Sequence, residues 1–168
     1  MKQNKFRIWI VALALLIGLA GCAPKDAGVA ILIGWDKKEL PQGELPCRSY
    51  YEGETLMVPL CEVDGALGYS AEWDSENKIA VIDDGYIQKA TLTAGSRTVL
   101  FEGHLQVINM SREVELAATL TVQEGIPYAP ADFFTEFLNE VEYGEGIVTI
   151  APSMVSLDDI GDFFAGWH

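Results

Sequence analysis

The chain has 168 residues, with 49% apolar residues and 25 acidic against 11 basic side chains, for a formal net charge of −14. That length and apolar content suit one ordinary folded domain with a real core rather than a disordered chain. So acidic a surface repels phosphate backbones, and no cluster of lysines and arginines with interleaved aromatics offsets it, which excludes nucleic acid as a partner.

The chain opens "MKQNKFRIWIVALALLIGLAGC", a basic start followed by an apolar run over 8–20 and small residues before Cys22. The run is shorter than the roughly 20 apolar residues a spanning helix needs, so it reads as a signal peptide. Leu19, Ala20 and Gly21 ahead of Cys22 look like a bacterial lipobox. This predicts a signal peptide over 1–21, lipid attachment at Cys22, a short tether over 22–28 and an acidic lipoprotein outside the cytoplasm, held to the bacterial cell membrane. Loss of Lys2, Lys5 and Arg7 would leave 8 basic against 25 acidic side chains. Burial of acyl chains at about 0.8 kcal/mol per methylene suffices as a membrane anchor when two or more chains act together.

Trp35 follows as a candidate partner contact. Cys47 and Cys61 then lie seven residues to either side of Glu54, so a hairpin turning near 52–54 would bring them together. A disulfide there would close a loop of about 15 residues and contribute about 3 kcal/mol; two buried thiols are the other reading of the pair.

Residues 53–68 read "GETLMVPLCEVDGALG" and residues 125–139 read "GIPYAPADFFTEFLN". Each runs a glycine turn, a short apolar strand, a proline and an amphipathic helix, and an offset of 71 residues lays Pro59 on Pro130 and Gly68 on Asn139. Leu60, Val63 and Leu67 form one helical stripe; Phe134, Phe137 and Leu138, with Phe133, form the other. Proline suits a first turn, Glu62 and Asp132 complement the helix dipole, and Gly68 and Asn139 are expected as left-handed caps. Strand pairs follow each helix, over 71–82 and 141–150. Between them the sequence predicts a hairpin turning at Glu102 and Gly103 with a return strand over 105–108. It then predicts one strand through "REVELAATLTV", with Val114, Leu116, Ala118, Leu120 and Val122 on one face. The expected class is α+β: antiparallel sheet with two short helices, built as a pseudo-repeat of hairpin, helix and hairpin over 29–152.

The C-terminal segment, 153–168, carries Leu157, Ile160, Phe164 and Trp167 at helical spacing, with Phe163 broadening the stripe. It either closes the domain's core or offers Phe163 and Trp167 to a partner. Trp73 follows the strand alternation and reads as a core residue.

The order "MVPL", a helix ending "ALG", a strand ending "EWD" and then "KIAVID" resembles the copper amine oxidase N-terminal domain, or stalk domain, over 31–152. Members commonly carry arginine after the "VPL" triplet, where this chain has Cys61. In the full enzymes the resemblance implies three histidines on copper and a quinone made from tyrosine in an Asn-Tyr-acid motif, both in a large C-terminal domain outside this sequence. Here the histidines are His104 and His168, and no tyrosine follows an asparagine. His104 has no nucleophile elbow near it, and Asp83 with Asp84, like Asp158, Asp159 and Asp162, lacks the alternation of a calcium loop.

No catalytic, metal or cofactor residue is therefore assigned, and the chain is not expected to be an enzyme. The expected function is a lipid-anchored cell-surface binding module for protein or cell-wall recognition or scaffolding. The alternative is an extracytoplasmic lipoprotein that binds a small ligand or metal ion for a transporter or sensor.

Overall fold

Alternating apolar residues between glycine turns give this chain mostly strand, and the computed structural model describes residues 26–41, 48–104 and 111–153. In chain order the elements are β1 (Ala30–Ile33), β2 (Lys38–Glu39), β3 (Tyr50–Glu52), β4 (Thr55–Pro59), α1 (Leu60–Leu67), β5 (Ser70–Asp74), β6 (Ile79–Asp83) and β7 (Gln88–Thr93). They continue as β8 (Thr98–Gly103), β9 (Arg112–Glu115), β10 (Thr121–Gln123), β11 (Ile126–Pro130), α2 (Phe133–Glu136), β12 (Asn139–Gly144) and β13 (Ile147–Pro152). The three sheets run β5-β6-β7-β8-β9, β10-β11-β4-β3 and β12-β13-β1-β2. Every pairing is antiparallel except β1 with β13, which is parallel, with Ala30 opposite Ile147. The architecture is mainly β rather than the expected α+β, because the helices are short: α1 has 8 residues and α2 has 4.

Their ends explain those lengths. Pro59 caps α1 in extended conformation, and Gly68 stops it in the left-handed region at φ 88°, where a side chain would be strained. In α2 the left-handed residue is Leu138, at φ 60°, and not the expected Asn139. Asn139 instead sits buried at the start of β12, and its side-chain amide donates to the carbonyls of Phe134 and Phe137 at 3.2 and 2.8 Å. The amide thus takes up terminal carbonyls that a longer helix would have used. Leu138 is exposed, whereas Phe133, Phe134 and Phe137 are buried.

One core joins the sheets. Ile31, Val58, Leu60, Val63, Ile82, Leu92 and Ile150 belong to the same cluster as Phe133, which stacks on Phe137 at 5.7 Å and on Phe101 at 6.2 Å. The Arg112 guanidinium lies 4.4 Å from the Phe101 ring centre and donates to a Glu136 carboxylate oxygen at 2.7 Å, fixing β9 to α2. A smaller cluster holds Tyr50, Met57, Ala118 and Tyr128, and the Tyr50 hydroxyl hydrogen-bonds Thr121 Oγ1.

Two further expectations are corrected. Glu102 and Gly103 form no turn; they pair with Lys89 and Gln88 as the end of β8, and 105–108 lies outside the described residues. The single strand expected over 112–122 is two strands in different sheets. Between them Leu116 N–H donates to Arg97 O and Leu120 N–H to Ser96 O, so this backbone is tied to the β7–β8 turn and its flank rather than to a ladder. The inward set still holds through Leu116, Ala118 and Leu120, while Val122 faces out.

Candidate functional site

Those tie points build a cleft. The β5–β6 turn brings Ser75 and Lys78, the β7–β8 turn brings Ala94 and Gly95, and the crossing segment brings Thr119 to Gln123, with Gly125 at the next turn and Trp73 from β5. Ala94 N–H donates to Lys78 O at 2.9 Å and Gly95 N–H to Leu120 O at 2.8 Å, so three separate chain segments are locked to one another by backbone bonds. The cleft is shallow and open to solvent, with Ser75 and Lys78 exposed at its rim, and offers about 610 Å³, within the range of small-molecule sites. Its polar lining is hydroxyl, amide and one ammonium, and among the described residues no carboxylate lines it. That is unusual chemistry for a chain with 25 acidic side chains. Trp73 is half-buried, packs against the core as the strand alternation predicts, and keeps its Nε1 buried with no hydrogen-bond partner among the described residues.

A second group of polar side chains lies on α1. Asp64 follows the apolar stripe into the core, is fully buried, and has no hydrogen-bond partner among the described residues for either carboxylate oxygen. Burial first, and then the charge of Glu62, push its carboxyl well above its ordinary value. Cys61 is a free cysteine, half-buried, and its thiol is pushed up to about 12 by burial and by the charges of Glu62 and Asp64. A thiol so protonated is a poor nucleophile. Cys47 lies outside the described residues, so its expected pairing with Cys61 does too.

A third group joins Asp83, Asp84 and His104, whose ligand atoms lie within 4.8 Å of one another. His104 follows β8 and its N–H donates to Ile87 O, which carries the ring back to Asp83 at 2.8 Å. Both carboxylates are engaged in the turn between β6 and β7. Asp83 Oδ1 also accepts the Gly85 N–H, and Asp84 Oδ1 accepts the N–H groups of Tyr86, Ile87 and Gln88. The hydrogen bond from His104, first among its causes, holds the Asp83 carboxyl below its ordinary value.

Among the contacts expected from sequence, Trp35 is 52% exposed in the turn between β1 and β2. Cys22, Phe163 and Trp167 lie outside the described residues. Sequence reading missed the cleft because its parts come from three turns distant along the chain. Asp64 left a legible signal: an acid four residues after Leu60 and three before Leu67, on the apolar side of its helix.

A mainly β domain with a polar cleft and inward-facing helices is the class these features define. The chain belongs to the copper amine oxidase N-terminal domain family, whose model matches residues 41–150. That domain is the non-catalytic N-terminal part of those enzymes. No curated protein and no solved structure matches the chain. The match begins after β1 and β2, yet all four residues of β1 pair with β13, so the folded unit reaches upstream of the family's boundary. Copper, which the family's name brings in, does not fit the residues present. Among the described residues His104 is the lone histidine, with its Nε2 on Asp83 and the neighbouring Asp84 Oδ1 already accepting three backbone donors.

Proposed function

We propose that the protein is a non-catalytic module, anchored by lipid at Cys22 to the outer side of a bacterial cell membrane, which recognises a protein or cell-wall polymer. The observation that carries this reading is the family match over 41–150 to a non-catalytic domain, on a chain whose "LAGC" run lies shortly before it. A cleft locked by backbone bonds suits recognition, since its shape is held before anything binds. Affinity capture with crosslinking on intact cells tests it, comparing the wild type with Cys22→Ser. The expected outcome is specific recovery of a partner by the wild type, and release of the variant from the membrane fraction. Recovery of nothing specific by a folded wild type, or retention of Cys22→Ser at the membrane, overturns it.

We also infer that the body is two copies of one unit, related by an approximate two-fold axis through the β4–β11 pair. The support is the register: Val58 lies opposite Ala129, its own counterpart at the offset of 71, and Met57 opposite Pro130 mirrors Pro59 opposite Tyr128. Each strand leads into a helix and then a strand pair, α1 with β5–β6 and α2 with β12–β13. Such an arrangement lets two helices, too short to be stable alone, share one core. Exchanging the two central strand segments should preserve folding, whereas a one-residue insertion in either should abolish it by flipping the inward face.

A further inference from the structure

We propose that the cleft lined by Trp73, Lys78, Thr119 and Gln123 binds an N-acetylated saccharide carrying a single carboxylate. This rests on the recognition reading above and names the ligand class it would serve.

The cleft's chemistry narrows the class in three steps. First, its polar side chains are hydroxyls on Ser75, Thr119 and Thr121, the last already hydrogen-bonded to Tyr50, the amide of Gln123 and one ammonium on Lys78, a set that both donates and accepts hydrogen bonds and so suits a ligand rich in hydroxyl and acetamide groups. Second, the half-buried Trp73 supplies apolar ring surface beside these polar groups, which matches a sugar, with its polar edge and its face of C–H bonds. Third, no carboxylate lines the cleft among the described residues, and Lys78 makes no ion pair there, so one anionic group has one cation to meet. A ligand with many negative charges is disfavoured because the chain as a whole carries a formal net charge of −14. A cationic ligand would meet Lys78 with no acid beside it. Acidic peptides and polyphosphates fit worse than an acidic sugar for the same reasons.

The site is also held ready. Gly95 and Gly125 line it in left-handed conformation, with nothing within 4 Å of where a side chain would begin, so their backbone stays open to a ligand. The hydrogen bonds from Gly95 to Leu120 and from Leu120 to Ser96 keep the two longer walls at fixed separation. An open cleft of about 610 Å³ has room for a short oligosaccharide.

The test uses the full chain in detergent and two probes that differ by one lactyl group with its carboxylate: the disaccharide of N-acetylglucosamine and N-acetylmuramic acid, and neutral diacetylchitobiose; Lys78→Met separates the charge from the rest of that group. Calorimetry and tryptophan emission read binding to the wild type, Lys78→Met, Gln123→Leu and, outside the cleft, Lys38→Met; circular dichroism checks that each is folded. The acidic disaccharide should saturate the wild type and bind about tenfold or more tighter than chitobiose, with Lys78→Met removing that preference and Lys38→Met leaving it intact. Gln123→Leu should weaken both probes by several-fold. The proposal is overturned by no saturable binding, by equal affinity for the two probes, or by full affinity in Lys78→Met and Gln123→Leu. Capture of a partner on cells without any saccharide binding sinks this inference and leaves the recognition reading standing. Saccharide binding by a chain that stays in the membrane fraction as Cys22→Ser sinks the anchor and leaves the cleft assignment standing.

Discussion

The helices α1 and α2 occupy corresponding places, after β4 and after β11, and close the same core with opposite chemistry. α2 brings two buried phenylalanines, with a third, Phe137, at its C-terminal cap, and is followed by a satisfied amide, since each Asn139 donor has a carbonyl and its Oδ1 accepts the Tyr69 hydroxyl at 2.9 Å. α1 brings Leu60 and Val63 but also Asp64, fully buried with both oxygens unpartnered among the described residues. The difference teaches that one half of the core holds the fold while the other carries a stored cost, of the kind a fold tolerates only when stability is supplied elsewhere.

The largest effect should come from the satisfied side. Phe133→Ala removes a ring stacked on two others and should lower unfolding free energy by about 3–5 kcal/mol in urea titration. A loss below about 1 kcal/mol would mean that α2 is not the keystone of the core.

Asp64→Ala comes next and should act in the opposite direction, raising stability by about 1–3 kcal/mol at a pH of about 8. The carboxyl titrates higher in the folded chain than in the unfolded one, so the folded state holds a proton that the unfolded state has released. Its contribution is fully present below the unfolded value and is lost as pH rises through the folded one. Wild-type stability should therefore fall on going from acid to mildly alkaline solution, and the variant should flatten that slope. A wild type with no such slope would remove the contrast between the helices.

Smaller effects compare the caps. Asn139→Ala strands two carbonyls and should cost about 1–2 kcal/mol, whereas Gly68→Ala, which forces a side chain into the left-handed region, should cost about 1 kcal/mol. If Gly68 proved the costlier position, backbone strain rather than side-chain bonding would set the ends of both helices. A change of about 1 kcal/mol at most is expected from Glu62→Gln, since Glu62 is half-buried with one carboxylate oxygen unpartnered among the described residues. Removing that charge should still move the pH-dependent loss of stability to lower pH, because Glu62 helps to raise Asp64.

Legibility in the sequence followed the range of the interactions. The start and stop of α1, the strand pairs after each helix and the inward set Leu116, Ala118 and Leu120 depend on neighbours along the chain, and periodicity with turn chemistry reveals them. The parallel partner of β1, the break between β9 and β10, and the approach of His104 to Asp83 depend on residues far apart in sequence. Local pattern holds no record of those. Asn139 shows the boundary well: its place at the end of a helix was readable, but whether it acts through backbone conformation or through its amide was not. The cleft falls on the unreadable side for the same reason, since no single segment contains more than part of its lining.

The parallel pairing of β1 with β13 has a mechanical consequence. Ala30 to Ile33 lie beside Ile147 to Ile150, so the first and last strands of the described body run side by side in one direction. Tension that drew the entering chain one way and the departing chain the other would load this ladder in shear, with its bonds resisting together instead of opening one after another. A body built so would resist a pull on its two ends better than one whose end strands unzip bond by bond.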